Sequence, residues 1–160
     1  MGRVYKVLFG DAVGGVAVTA AQDMLQITGA AGKMLRILHR WVGASDTNIV
    51  TAQAIQLRER ILPATVTNGS GGSTPTIYKT DLGDAAASFT ALANSTTKAT
   101  TSGTAAEIYS TGVHIWNGFD EDWDSPPPVG PSEAYVFELL STVSGTVHLS
   151  GGVEVEEIGG

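Results

Sequence analysis

A chain of 160 residues, 42% hydrophobic and without cysteine, can bury one core but can form no disulfide, thiolate metal site or cysteine nucleophile. Its charged fraction of 16% lies below the usual quarter, and its net charge is -7. The bases cluster only as Arg36/Arg40 and Arg58/Arg60, which argues against direct nucleic-acid binding, and no apolar run reaches the roughly 20 residues of a membrane span.

In chain order, residues 3–9 form a short strand with Tyr5, Val7 and Phe9 on one side. The same stretch, as residues 1–9, is a candidate arm reaching onto a neighbouring chain. Arg3 and Lys6 before an apolar stretch mimic a signal peptide, but Asp11 interrupts it. Residues 10–15 are turn-rich, 16–20 alternate, and 24–28 form another short apolar run. Ala, Gln, Met and Leu would also suit a helix over 17–25, but the flanking glycines and Thr28 favour strands. Residues 33–42 form the longest early strand. Strict alternation puts Leu35, Ile37, His39 and Trp41 on one side, opposite Met34, Arg36, Leu38, Arg40 and Val42. A turn follows over 43–48.

Residues 49–62 form a strand pair or one long strand with Ile55, Leu57 and Ile61 in phase, limited by Pro63. The stretch 67–76, TNGSGGSTPT, has the composition of a mobile surface loop. Residues 84–104 suggest an irregular strand with a turn near Asn94. A hairpin is expected across Thr111-Gly112, between 107–110 and 113–116. Four prolines in 118–131 predict a long loop. The final stretch, 133–158, alternates with Tyr135, Phe137 and Leu139, then Val147 and Leu149, then Val153 and Val155. Breaks at Ser144-Gly145 and Ser150–Gly152 divide it into consecutive strands. About eight to ten strands with short connectors predict one all-β domain over 1–160: an antiparallel β-sandwich, jelly-roll-like, with long Gly/Ser and Asp/Pro loops.

Charge is unevenly distributed. Residues 1–98 carry nine bases against six acids, and the remainder carries ten acids and no base. Either the two parts interleave in space, or they form two faces of opposite sign suited to ordered stacking.

Asp120, Asp122 and Asp124 begin like a calcium loop, but Ser125 and Pro131 stand where a helix-loop-helix site needs Gly and Glu. A looser site could draw on Glu121 or Glu133; otherwise this is a solvated acidic loop. His39 falls among apolar neighbours, and a metal pair would require His114 and His148 to meet across strands. No G-x-S-x-G or phosphate loop is present, and the acids read as loop or outward positions rather than paired carboxylates over a cleft. No catalytic, metal or cofactor residues are therefore assigned. Trp41, Trp116 and Trp123 could form a sugar-stacking platform; Trp123, inside the Asp/Pro loop, is the one expected to be exposed. The residues expected to face a partner are Tyr5, Val7, Phe9, Trp123, Asp120, Asp122 and Asp124.

Four stretches resemble a family of small tailed-phage virion proteins encoded near head genes. They are GVAVTAAQD (15–23), RILPATVTNGSGGSTPT (60–76), GDAAASFTALANSTTKATTSGT (83–104) and SGTVHLSGGVEVEEIGG (144–160). The GSGGS-TP loop and the EEIGG ending are the most distinctive parts. The resemblance implies a β-sandwich that decorates or cements a capsid exterior. Its implied partners are the major capsid protein and other copies of itself, commonly as a trimer, with no nucleic acid or membrane partner. It carries no catalytic residue. A glycan- or host-surface-binding module of a phage tail or fibre is the alternative, and a carbohydrate-active enzyme a further one.

Overall fold

A computed structural model describes residues 2–10, 16–45 and 51–159, with Val16 described by its backbone alone. Every regular element in them is a β-strand, and the strands form two antiparallel sheets packed face to face. The strands are β1 (Arg3–Phe9), β2 (Val16–Val18), β3 (Gln22–Thr28), β4 (Met34–Ala44), β5 (Ala54–Leu62), β6 (Val66–Thr67) and β7 (Ile77–Lys79). They continue with β8 (Thr90–Ser95), β9 (Thr100–Thr101), β10 (Ala106–His114), β11 (Phe119–Asp122), β12 (Pro128–Val129), β13 (Ala134–Leu139) and β14 (Val147–Ile158). The front sheet runs β11-β4-β14-β1-β7, with β12 also on β4 and β2 also on β14; the back sheet runs β10-β5-β13-β3-β8. Strands β6 and β9 make a small separate ribbon.

Take β1, β3, β4, β5, β10, β11, β13 and β14 as first to eighth. The front sheet then reads first-eighth-third-sixth and the back sheet second-seventh-fourth-fifth. Consecutive strands change sheets at every step except fourth to fifth, which is the jelly-roll order. At that one step the chain makes its long excursion, 63–105, which supplies β6 to β9.

The core lies between the sheets. Tyr5, Val7 and Phe9 meet Val153 and Val155 on the front, and Leu25, Ile27, Leu57, Phe137 and Leu139 line the back; all are buried. The rings of Phe9 and Phe137 touch across the layers, their centroids 6.3 Å apart. Strand β1 is therefore no arm. It pairs with β14 along its whole length and with β7 on its other side, because its apolar repeat is matched by that of β14. The expected partner contact through Tyr5, Val7 and Phe9 is corrected accordingly.

Alternation along β4 also fails, for a local reason. His39 is opposite Glu154 and Ile37 is opposite Val155, so Leu38 is an extra residue in the ladder. This bulge shifts the phase by one. Leu35 and Ile37 point inward, but beyond the bulge so do Arg40 and Val42, while His39 and Trp41 turn to the outer face.

Strand β14 runs unbroken through Ser150–Gly152, where a turn was expected. A Cβ on Gly151 would lie 2.1 Å from the Trp41 carbonyl oxygen, and one on Gly152 would lie 2.5 Å from that of Val7. These glycines thus serve close backbone approach. Residues 106–114 are likewise one strand rather than a hairpin, with Thr111 opposite Leu57 and Gly112 opposite Gln56. The Asp/Pro loop contributes two short edge strands. Strand β11 ends before the first proline, and β12 places Pro128 at a sheet edge, where its missing N–H is tolerated. Of the turn expected over 43–48, Gly43 and Ala44 belong to β4, and 46–48 lie outside the described residues, as do 11–15 and 49–50.

Within the excursion 63–105, β7 joins the front sheet and β8 the back sheet, while the segments around 66–69 and 98–105 lie against the outer face of the back sheet. Leu62, Ala99, Ala134 and Val136 form a small second core there. The Gly/Ser stretch is tied down: Gln26 Oε1 accepts the Gly69 N–H at 3.1 Å, Ser70 bridges to Thr97, and Ser73 bridges to Ala93. A Cβ at Gly72 would lie 2.1 Å from the Ala93 carbonyl oxygen. Small residues here permit contact with β8.

Candidate functional site

The bulge at Leu38 builds the first polar centre. Arg40, 1% exposed, crosses from β4 to the back sheet, where its Nε donates to Glu59 Oε1 at 2.8 Å. Tyr135 on β13 donates its hydroxyl to the other Glu59 oxygen at 2.8 Å. The guanidinium also donates to the Glu121 carbonyl oxygen at 3.1 Å and lies 3.4 Å from the Glu121 carboxylate. Three rings enclose it, with centroids at 4.1 Å (Trp123), 5.0 Å (Tyr109) and 5.3 Å (Phe119). Burial pushes the Glu59 carboxyl above its ordinary range, against the pull of Arg40. Burial and the Glu59 charge push the Tyr135 phenol well above its own. The phenol donates and the carboxylate accepts, and Arg40 is bonded from Nε, Nη1 and Nη2 to Glu59 and Glu121. This arrangement ties the two sheets together.

The second centre lies on the back sheet beneath the excursion. Glu138, fully buried on β13, accepts from Arg58 at 2.9 Å, sits 3.0 Å from the Arg60 Nε, and contacts Lys98 of the excursion. Asp23, directly across from it on β3, accepts the Ala99 N–H at 2.6 Å. Together with Gln26, these groups hold the excursion by charge and hydrogen bonding, where the apolar contact is small. Burial raises the Asp23 carboxyl to about 6, assisted by neighbouring Glu138.

Because the folded chain holds that proton more tightly than the unfolded one, Asp23 contributes stability that is full below about pH 4 and lost as pH rises through 6. The shift corresponds to about 3 kcal/mol at most. Comparing wild type with Asp23→Asn in urea melts from pH 4 to pH 7 should show the variant gaining relative stability as pH rises. A constant difference across that range would contradict the assignment.

A third region is the outer face of the front sheet, over which no described strand packs. Its charges form cross-strand pairs, Lys6 with Glu154 at 2.8 Å and Arg36 with Glu156 at 3.9 Å, and His39 Nε2 hydrogen-bonds to Asp120 Oδ1 at 2.7 Å. The rings of His39 and Trp41 adjoin at 5.1 Å. Late acids therefore pair with early bases on both sheets, Glu107 and Glu138 meeting Arg58 in the same way. Of the two readings of the charge asymmetry, interleaving is the one observed.

The structure places the other expected residues as follows. Strand β11 sends Asp120 and Asp122 to the open face with Glu121 between them turned to Arg40, and Asp124 lies beyond the strand. Glu133 accepts the Gly130 N–H. Among the described residues no three His, Asp or Glu side chains converge as a metal-ligand set. Trp123 is half-buried under Arg40, correcting its expected exposure, and Trp116 is the exposed indole at 58%. The three tryptophans lie against different rings, His39, His114 and Tyr109, and build no common platform.

Acids expected on loops or outward positions include four that are buried: Asp23, Glu59, Glu138 and Glu157. Glu59 was signalled by its phase with Ile55, Leu57 and Ile61. Arg40 carried no such signal, since the bulge that turns it inward leaves alternation in the sequence untouched. Compared with family models, with curated proteins and with solved structures, the chain matches none.

Proposed function

We propose that this chain is a non-enzymatic structural subunit of a tailed-phage virion, a decoration or cement protein that binds the exterior of the major capsid protein shell and stabilises it. The observation that carries the reading is where the ionic groups go. Arg40 and Glu59 cross-tie the two sheets, and Glu138 with Asp23 ties the excursion to the back sheet. Buried charge committed to holding layers together suits a part that resists deformation rather than one that turns over substrate. The open front sheet, with its short-range charge pairs, offers a broad surface for many weak contacts. The jelly-roll order is compatible with the resemblance in the sequence, although a fold of this kind hosts many functions. Partners under this reading are the major capsid protein and further copies of the chain, with no direct contact to packaged DNA.

Sedimentation of the purified protein with empty heads tests it: the protein should travel with the shells at saturable stoichiometry and raise their melting temperature. A second reading, a glycan- or host-surface-binding module, draws on the exposed Trp116 and on Trp41 at the open face. Failure to bind shells, together with glycan-array signals abolished by Trp116→Ala or Trp41→Ala, would replace the first reading with the second.

A further inference from the structure

Among the described edge strands β10 is the longest, nine residues of which all but Ile108 pair with β5 on one side, with no described strand on the other. Its backbone orientation follows from hydrogen bonds nearby. Leu140 N donates to Gln56 O at 2.8 Å and Gln56 N donates to Ser141 Oγ at 3.1 Å, so Gln56 turns its peptide groups toward β13. Leu57 therefore faces β10, and Ile115 N, which donates to Gln53 O at 3.0 Å, follows the same alternation. Tyr109, Thr111 and Val113 thus direct their peptide groups to β5, while Ser110 and Gly112, both exposed, direct theirs outward; the His114 carbonyl already accepts the Asn117 N–H at 2.9 Å.

Open edges are normally guarded by charge, proline or a bulge. Strand β10 has a bulge at Ile108, but from there to Val113 it carries neither charge nor proline. Gly112 has no positive φ, and a Cβ there would meet nothing within 4 Å. Nothing inside the chain calls for a glycine that weakens the strand.

We propose that β10 pairs with β10 of a second copy, antiparallel about a two-fold axis through Thr111, joining two back sheets into one. In this register Thr111 faces its own copy, Ser110 faces Gly112 and Tyr109 faces Val113. Past the bulge, Glu107 faces His114 at both ends. The outward peptide groups of Ser110 and Gly112 then form hydrogen-bonded pairs on either side of a non-hydrogen-bonded Thr111 pair, as an antiparallel ladder requires. Thr–Thr, aromatic–β-branched and acid–base pairs are each favourable cross-strand neighbours. Registers centred on Ser110 or Gly112 also match the faces but separate Glu107 from His114. Trp116, 58% exposed and with its ring 5.2 Å from that of His114, lies at the rim of the contact. The inference does not depend on the virion reading. A two-fold contact joins copies in pairs and builds no trimer by itself.

The absence of cysteine makes the test clean. Thr111→Cys places two thiols across the axis, where opposed Cα atoms about 4.5 Å apart lie within disulfide reach. Ser110→Cys places its thiol opposite Gly112, out of reach of its own copy. Under mild oxidation Thr111→Cys should form covalent dimers and Ser110→Cys should not. Gly112→Pro, which removes one outward donor per copy, should weaken dimerisation of the cysteine-free chain by about tenfold or more in native mass spectrometry. The proposal fails if Thr111→Cys stays monomeric or if Ser110→Cys cross-links equally. Unchanged dimerisation of a folded Gly112→Pro would also end it.

Discussion

Arg40→Met will lower the unfolding free energy by about 3–5 kcal/mol, the cost of removing one partner from a buried ion pair. The arginine is 1% exposed and Glu59 is fully buried, so neither charge has water to fall back on. Methionine fills much of the volume among Trp123, Tyr109 and Phe119 but leaves Glu59 with only the Tyr135 hydroxyl as donor. The carboxylate will then take up a proton at higher pH than in the wild type, where burial already raises it. A fold that binds more protons than its unfolded chain loses stability as pH rises. The deficit of Arg40→Met should therefore shrink in acid.

Pairing Arg40→Met with Glu59→Leu isolates the interaction: the double variant should be less destabilised than the sum of the two singles by at least about 2 kcal/mol. Urea melts of all four proteins at pH 7 measure this. Simple additivity would mean that Arg40 acts by filling space between rings and that the cross-tie contributes little.

Gly151→Ala will be comparably damaging, by roughly 3–5 kcal/mol, because overpacking against backbone has no cheap relief. The new Cβ would stand 2.1 Å from the Trp41 carbonyl oxygen, 2.8 Å from the Val42 Cα and 2.9 Å from the Phe9 ring. To accommodate it, β14 must move off β4, and β14 also carries β1 and β2. Gly43→Ala is the control: it lies on β4 opposite Ser150, and its Cβ would meet nothing within 4 Å. That substitution should change stability by less than about 1 kcal/mol. Equal thermal midpoints for the two alanine variants would show that the front sheet has slack at Gly151.

How much of this was legible differs from residue to residue. Tyr5, Val7 and Phe9 announce an apolar strand face, and Val153 and Val155 announce its partner, but periodicity cannot tell a core from a contact with another molecule. Only pairing with β14 and β7 decided that. The glycines at 151 and 152 looked like a turn because composition cannot distinguish freedom of φ from lack of space. The Gly/Ser stretch near Gly72 misled for the same reason, being small so that it can lie against β8. Trp123 was placed at the surface by its acidic neighbours, yet β11 alternates, sending Asp120 and Asp122 out and Glu121 toward Arg40.

Amino-acid order alone determined that this is an all-β sandwich, since two-residue periodicity is a local property written into each strand. It also determined which residues are bulky enough to form the core. The tertiary structure alone decided which charges are buried. One unpaired residue, Leu38, moves Arg40 from the surface to the centre, and whether a ladder accepts an extra residue depends on the strand beside it. It likewise decided that late acids such as Glu138, Glu154 and Glu156 pair with early bases, because that outcome depends on which distant strands become neighbours.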